Sequence, residues 1–234
     1  MKILITGANR GLGFELTKVA LANDDTVFAG AFLPDGIEEL DNLKKTYPKT
    51  LEIVPLDISS DESVTETAEK IEEKAGSLDC VVNNAGILLN KHKKIDELDV
   101  SELRLSFEIN TIGAYRVLKS TLPLLYKGEG KVIINITSEA SSITNVGTEY
   151  CSYSISKVAA TMMSQMFANL LTEKGFKVLA IHPGRMNSVM GRETAQMEPS
   201  ESSQGIYDLI TGKVQPRIRN GVWFVNYLGD PMDL

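Results

Sequence analysis

Lys2-Ile-Leu-Ile-Thr6-Gly7-Ala8-Asn9-Arg10-Gly11-Leu12-Gly13 opens the chain with a short apolar run, a glycine-rich turn and the start of a helical period. Glycine permits a tight turn and close backbone approach, and a helix N-terminus presents unpaired N–H groups and a positive dipole end to a phosphate. The stretch therefore reads as strand, pyrophosphate seat and helix. Its spacing is G-x-x-x-G-x-G, which differs from the common G-x-G-x-x-G fingerprint. Taken alone, such a turn also suits an ordinary strand-to-helix corner.

The same alternation continues along the chain. Short apolar or β-branched runs at Lys2–Thr6, Thr26–Phe32, Leu51–Val54, Leu78–Val82, Lys131–Ile136, Lys177–Ile181 and Val222–Asn226 read as strands. Between them, helical periods are predicted at Leu12–Ala22, Ile37–Thr46, Asp61–Ala75, Glu97–Tyr126, Tyr153–Glu173 and Ser203–Thr211. Ser59 and Glu62 have the spacing of a capping box at the start of the third helix. Strands alternating with helices predict an α/β Rossmann fold, a doubly wound parallel sheet of seven strands with helices on both faces. At 234 residues, with no repeat or compositional break, residues 1–234 are expected to form one domain. Arg185–Ser202 lacks periodicity and reads as a long loop, expected to be functional and to bind substrate.

A composition of 43% hydrophobic and 24% charged residues is that of an ordinary globular protein and excludes a disordered chain. The net charge of −7 gives no footprint for nucleic acid or an anionic membrane surface, and Lys91-His92-Lys93-Lys94 reads as a solvated loop. Cys80 and Cys151 make no metal-ligand spacing and fit a reducing compartment. The first strand runs straight into the glycine turn, with no signal-peptide pattern, and no run of about 18 apolar residues could span a membrane. A cytoplasmic protein without metal is expected.

Tyr153-Ser-Ile-Ser-Lys157 puts a tyrosine and a lysine on one helical face. A phenol is a poor acid or base at neutral pH, and a neighbouring ammonium lowers its pKa by favouring the phenolate. Ser138 ends a strand and falls at the carboxyl edge of the sheet, where open α/β folds bind ligands. Its hydroxyl can hydrogen-bond a carbonyl oxygen and steady developing charge there. Singly these are an ordinary i,i+4 pair and a turn serine. Their order around the glycine turn gives them weight.

With these residues in place, the chain resembles the short-chain dehydrogenases/reductases over nearly its whole length. Thr6–Gly13 is similar to the family's T-G-x-x-x-G-x-G, Asn83-Asn84-Ala85-Gly86 to its N-N-A-G, and Asn110, Ser138, Tyr153 and Lys157 to its catalytic tetrad. The resemblance implies that Tyr153 exchanges the proton at the substrate oxygen and Ser138 positions that oxygen. Lys157 would bind the nicotinamide ribose and lower the tyrosine pKa, and Asn110 would hold a relay water. It also implies cofactor contacts from Gly7, Asn9, Arg10, Gly11, Leu12 and Gly13, from Phe32, from Asp57 and Ile58 near the adenine, and from Asn84, Ala85 and Gly86. Pro183, Gly184 and Ser188 resemble the clamp on the nicotinamide amide. His182–Gly191 and Gly221–Asp230 resemble the C-factor/sniffer branch, which includes carbonyl reductases and proteins of bacterial cell-to-cell signalling.

The end of the second strand departs from the pattern. An acidic residue there selects NAD and a basic one NADP, but Phe32 stands near that place. Arg10 can still pair with a 2′-phosphate, so NADP(H) is the preferred cofactor and NAD(H) the second candidate. The expected function is hydride transfer between the nicotinamide and a small-molecule carbonyl or alcohol substrate. The alternative is a cofactor-bound signalling protein with incidental turnover, against which the intact tetrad argues. An S-adenosylmethionine-dependent transferase would leave Tyr153 and Lys157 without purpose. His182 is expected to orient backbone or pack, and Met162, Met163 and Met166 to pack. A homodimer, with a tetramer as the other family form, is expected through the Glu97–Tyr126 and Tyr153–Glu173 helices.

Overall fold

Side chains alternate between the two faces of a strand, and in β1 (Lys2–Thr6) Ile3 and Ile5 turn to one face while Leu4 turns to the other. Both faces are covered, which is why the strands are apolar almost throughout. The computed structural model describes residues 1–32, 37–187, 190 and 195–234. On the first face, α1 (Gly11–Ala22), α2 (Glu38–Thr46) and α7 (Pro199–Thr211) pack Leu16, Leu40 and Ile206 with Ile3, Ile5 and Val27. On the second, α3 (Asp61–Ala75), α5 (Ala114–Lys127) and α6 (Cys151–Leu171) pack Ile71, Leu118 and Leu171 with Leu4 and Phe28.

Among the described residues, β2 (Thr26–Ala31), β3 (Leu51–Pro55), β4 (Cys80–Asn83), β5 (Val132–Ile136), β6 (Lys177–His182) and β7 (Phe224–Asn226) join β1 in a seven-stranded sheet. Its order is β3-β2-β1-β4-β5-β6-β7 and every pairing is parallel. The doubly wound Rossmann fold predicted from the alternation is therefore the fold observed. The strand order reverses at β1, between β2 and β4, and such a switch point opens a crevice at the carboxyl ends of the strands. No helix among the described residues is long and apolar enough to cross a membrane.

Several element boundaries depart from expectation for identifiable reasons. Leu78 and Asp79 precede β4 because their N–H groups donate to Leu124 and Lys2 carbonyls. Val222 and Trp223 precede β7, donating to the Arg219 carbonyl and to Gln165 Oε1. Pro199, read from sequence as a loop residue, starts α7, because a first-turn position needs no N–H donor. The single helix expected over Glu97–Tyr126 is broken: α4 (Val100–Phe107) passes into a π-turn at Glu108–Gly113 before α5 begins. π-turns recur at functional sites, and this one carries Asn110.

The capping box expected at Ser59 and Glu62 does not form. Ser60 is the N-cap of α3, its hydroxyl accepting from Ser63 N at 3.2 Å, while Ser59 donates its hydroxyl to Asp57. Ser60→Ala is expected to lower the unfolding free energy by about 1 kcal/mol, read by urea denaturation. An equal loss in Ser59→Ala with none in Ser60→Ala would reverse the assignment of the cap.

Candidate active site

The floor of the crevice is main chain held by side chains from two strands. Thr6 Oγ1 accepts from the N–H groups of Asn84 and Ala85, both at 3.0 Å. Asn84 Nδ2 donates back to the carbonyls of Thr6, at 2.9 Å, and Gly7, at 3.1 Å. The three glycines then divide the work. Gly7 is left-handed, at φ +64°, and a Cβ there would come within 3.0 Å of Ala85 Cα. Gly11 faces open space, with no atom within 4 Å of a Cβ position. At Gly13 a Cβ would lie 2.3 Å from the Gly7 carbonyl oxygen. Gly13 therefore seats α1 on the turn and does not line the cleft, whereas the resemblance gave it a cofactor contact. Arg10 precedes α1 without a side-chain cap, so the first-turn amides point at the cleft as an anion seat. This bare-backbone cradle fits a dinucleotide pyrophosphate.

One cleft of 1660 Å³ runs from this seat across the carboxyl edge of the sheet. Gly7, Asn9, Arg10, Gly11 and Leu12 line its floor, with Phe32, Asp57 and Ile58 at one end. Asn84, Ala85 and Gly86 lie at its middle, and Pro183 and Gly184 further along. Ser188 lies outside the described residues. Phe32 is 66% exposed, and the guanidinium of Arg10 has no ion pair or hydrogen bond among the described residues. Asp57 Oδ1 is engaged by Ser59, through its N–H at 2.9 Å and its hydroxyl at 2.6 Å.

Ser138 leaves the sheet two residues after β5, and α6 delivers Tyr153 opposite it. The Ser138 hydroxyl lies near enough to the Tyr153 phenol to lower its pKa, and Ser138 Oγ accepts from Ala140 N at 3.1 Å. One turn along α6, Lys157 is only 4% exposed and donates from Nζ to the Ile136 carbonyl at 2.8 Å. Its Nζ stands 5.6 Å from the Tyr153 ring centroid. Asn110 comes up behind the cleft wall. Its Oδ1 accepts from Ile87 N at 2.8 Å, and its Nδ2 donates to the Ile87 carbonyl and to Ser156 Oγ, both at 3.0 Å. Both amide hydrogens are thus spent on holding the Gly86–Ile87 loop to α6, which leaves no side-chain donor for the expected relay water.

The expected lowering of the tyrosine pKa by Lys157 is not what this geometry produces. Burial pushes the Tyr153 phenol up to about 12, against the lowering effect of the Ser138 hydroxyl, and the Glu139 carboxylate adds to the rise. Burial likewise pulls the Lys157 ammonium down to about 8. Desolvation disfavours whichever form is charged, and Lys157 turns its donor to Ile136 rather than to the phenol.

The far wall holds residues that motif reading passed over. Arg185 makes two bonds to Glu139, from Nε at 2.6 Å and from NH2 at 3.1 Å. His182 Nδ1 accepts from Glu139 N at 3.0 Å, an orienting role of the kind expected for it. Burial lowers its pKa, with Arg185 acting in the same sense and Glu139 against it. Pro231, Met232 and Asp233 also border the cleft; only tertiary structure brings that segment here. Adjacency to Ser138 was the one signal that could have found Glu139.

Residues 1–199 match the family model for short chain dehydrogenase. Estradiol 17-beta-dehydrogenase 2 of Rattus norvegicus is 34% identical over 188 residues, which are 78% of this chain and 47% of that protein. The chain thus spans about half the length of that relative. Among solved structures, carbonyl reductase Sniffer of D. melanogaster superposes with a TM-score of 0.89 at 27% identity, over 100% of this chain and 99% of the other. The NADPH-bound carbonyl reductase from chicken fatty liver gives 0.86 at 27% identity, over 100% and 98%.

The inverted order of the two titrations is open to measurement. In the protein alone, Lys157 is expected to lose its proton near pH 8 while Tyr153 keeps its own until about pH 12. Carbon-13 NMR of labelled lysine and tyrosine, assigned with Lys157→Met and Tyr153→Phe, reads both. Ionisation of Tyr153 before Lys157 would show that charge pairing outweighs burial.

Proposed function

This chain belongs to the short-chain dehydrogenase family of oxidoreductases, which use a nicotinamide cofactor, and from that premise we propose that it is an NADP(H)-preferring carbonyl reductase. The observation that carries the proposal is the Ser138–Tyr153 hydroxyl pair, with Lys157 buried one turn away, at the middle of a cleft that begins on an uncapped helix N-terminus. When bound, the nicotinamide supplies the hydride for reduction of a substrate carbonyl carbon and takes it back in the reverse direction.

The protein's own part is binding and proton movement. Ser138 donates to the carbonyl oxygen, which polarises the carbon and steadies the charge that develops on the oxygen. Tyr153 delivers its proton to that oxygen in reduction and accepts one in oxidation. Its raised pKa keeps the phenol protonated at neutral pH, the state that reduction requires. Lys157 holds the nicotinamide ribose. Asn110 positions the Gly86–Ile87 loop against α6. Gly7, Asn9, Arg10, Gly11 and Leu12 would hold the pyrophosphate end and Phe32, Asp57 and Ile58 the adenosine. Asn84, Ala85, Gly86, Pro183 and Gly184 would hold the nicotinamide end.

The NADP(H) preference rests on Arg10, an exposed cation lining the cleft, and on Phe32 in place of an acidic residue directly after β2. The whole of residues 1–234 is taken as one domain, with the segment between β6 and α7 as its substrate-binding part. Two free, buried cysteines suit a cytoplasmic setting. A homodimer through α4, α5 and α6 is supported by exposed Leu105, Ile112 and Tyr115 beside a stripe of Met162, Met166 and Leu170. Sedimentation should then give twice the 25.6 kDa chain mass, and Met166→Glu should return it to one.

Oxidation of NADPH across a panel of aldehydes, ketones and quinones tests the activity. Tyr153→Phe is expected to lower kcat/KM by roughly 10²–10⁴-fold. Arg10→Ala should weaken NADPH binding by roughly 10- to 100-fold, the value of a bond to a charged group, with little effect on NADH. Equal rates for wild type and Tyr153→Phe would remove the mechanism, and a strong NADH preference in the wild type would remove the cofactor assignment.

A further inference from the structure

Beyond Tyr153 the cleft is walled mainly by apolar side chains, including Leu88, Leu105, Ile109, Val146 and Met232. Into this wall the fold sets the Glu139–Arg185 pair, joined by two bonds at 2.6 and 3.1 Å. The two residues come from the ends of neighbouring strands. Glu139 directly follows Ser138, and Arg185 follows β6 by three residues. Glu139 is anchored at its backbone by the bond from its N–H to His182 Nδ1. Burial pushes its carboxyl up, but Arg185 outweighs burial and holds it below the ordinary carboxylate range. Both partners are therefore charged at neutral pH.

A guanidinium in an apolar cleft beside the carbonyl-binding hydroxyl is the natural receptor for a substrate carboxylate, since its planar fork matches that group. Here both bonds go to an acceptor built into the chain. A tethered group competes at an effective concentration on the order of mM or higher. A diffusing carboxylate that displaced it would stand beside the negative charge of the freed Glu139, a repulsion that falls on the wrong substrate alone. The other acids bordering this end, Glu149 and Asp233, face pairing partners in His92 and Arg219 and add no attraction for an anion. Of the other cations toward this end, Lys157 donates to the Ile136 carbonyl, and Lys91 is likewise not without an interaction.

We propose that Glu139 occupies Arg185 in order to select uncharged, apolar aldehydes or ketones against those that carry a carboxylate near the carbonyl. The inference rests on the carbonyl-reductase reading and names its substrate class.

The test uses 4-formylbenzoate, its methyl ester and the non-reacting anion benzoate. With NADPH, wild-type kcat/KM should favour the ester by about tenfold or more, carried by KM, and Glu139→Gln should shrink that ratio by about tenfold, the worth of one charge-assisted contact. Independently of turnover, calorimetry should find benzoate bound about tenfold more tightly by Glu139→Gln than by wild type. That gain should vanish in Glu139→Gln/Arg185→Gln. Glu139→Ala serves as a second variant should Glu139→Gln not fold. Unchanged benzoate affinity in a folded Glu139 variant overturns the inference, as does a wild type that turns over acid and ester equally. Turnover of neither aldehyde counts against the carbonyl-reductase reading instead, and the benzoate comparison still decides this one.

Discussion

The hydroxyl of Thr6 ties together the two strand ends on which the site depends. By accepting from the amides of Asn84 and Ala85 it locks the carboxyl ends of β1 and β4 side by side, at the point where the sheet order reverses. Asn84 returns its amide hydrogens to the turn carbonyls, and α1 descends onto the same atoms through Gly13. Three elements thus meet in a knot of main chain with no room for a side chain at position 13. The knot makes the cleft floor rigid and generic. Variation in what the protein binds is left to the far wall, on segments that leave the sheet after β5 and β6, as is usual for loops carried on a rigid scaffold.

Within that frame, desolvation dominates the chemistry of the two central residues. Tyr153 and Lys157 are each driven toward the neutral form, the phenol upward and the ammonium downward, because neither charge has a partner strong enough to offset its burial. An ionised tyrosine and a charged lysine would help each other, yet Lys157 spends its hydrogen bond on a β5 carbonyl. The arrangement keeps a proton on Tyr153 with the Ser138 hydroxyl nearby. A substrate oxygen entering between them finds two hydroxyl donors without any prior ionisation step.

Much of this was legible in the sequence, because the informative patterns are local. Alternation of apolar runs with helical periods gave the sheet, and the glycine turn, Ser138, Tyr153 and Lys157 fell on the expected elements. What stayed hidden depends on contacts distant in the chain. Ser59 and Ser60 fit the capping pattern equally, and the choice was made by Asp57, which takes Ser59. The helical period from Glu97 to Tyr126 is unbroken in sequence, but Asn110 bonds Ile87 across 23 positions and the helix opens into a π-turn there. Glu139 and Arg185 lie 46 positions apart, so neither signals the other. The direction of the Tyr153 shift was hidden for the same reason: spacing shows that Lys157 is near, not where its ammonium points.

α6 shows most clearly why the site resists reading by hydrophobic pattern. Its buried face is not an apolar stripe but a row of small polar residues, among them Ser152, Ser154, Ser156, Thr161 and Ser164. Each hydroxyl with a bond here finds a specific acceptor or donor. Ser156 donates to the Tyr153 carbonyl, Thr161 to Ser141 Oγ, and Ser164 accepts from Asn135, which in turn accepts from Asn83. Small side chains let the helix approach the sheet closely, and hydrogen bonds fix its register more sharply than apolar packing, which tolerates sliding. Sliding would part Tyr153 from the Ser138 hydroxyl nearby. The polar face therefore costs hydrophobic stabilisation along α6 and returns it as placement of one phenol, a trade that makes sense only for a helix whose function is position.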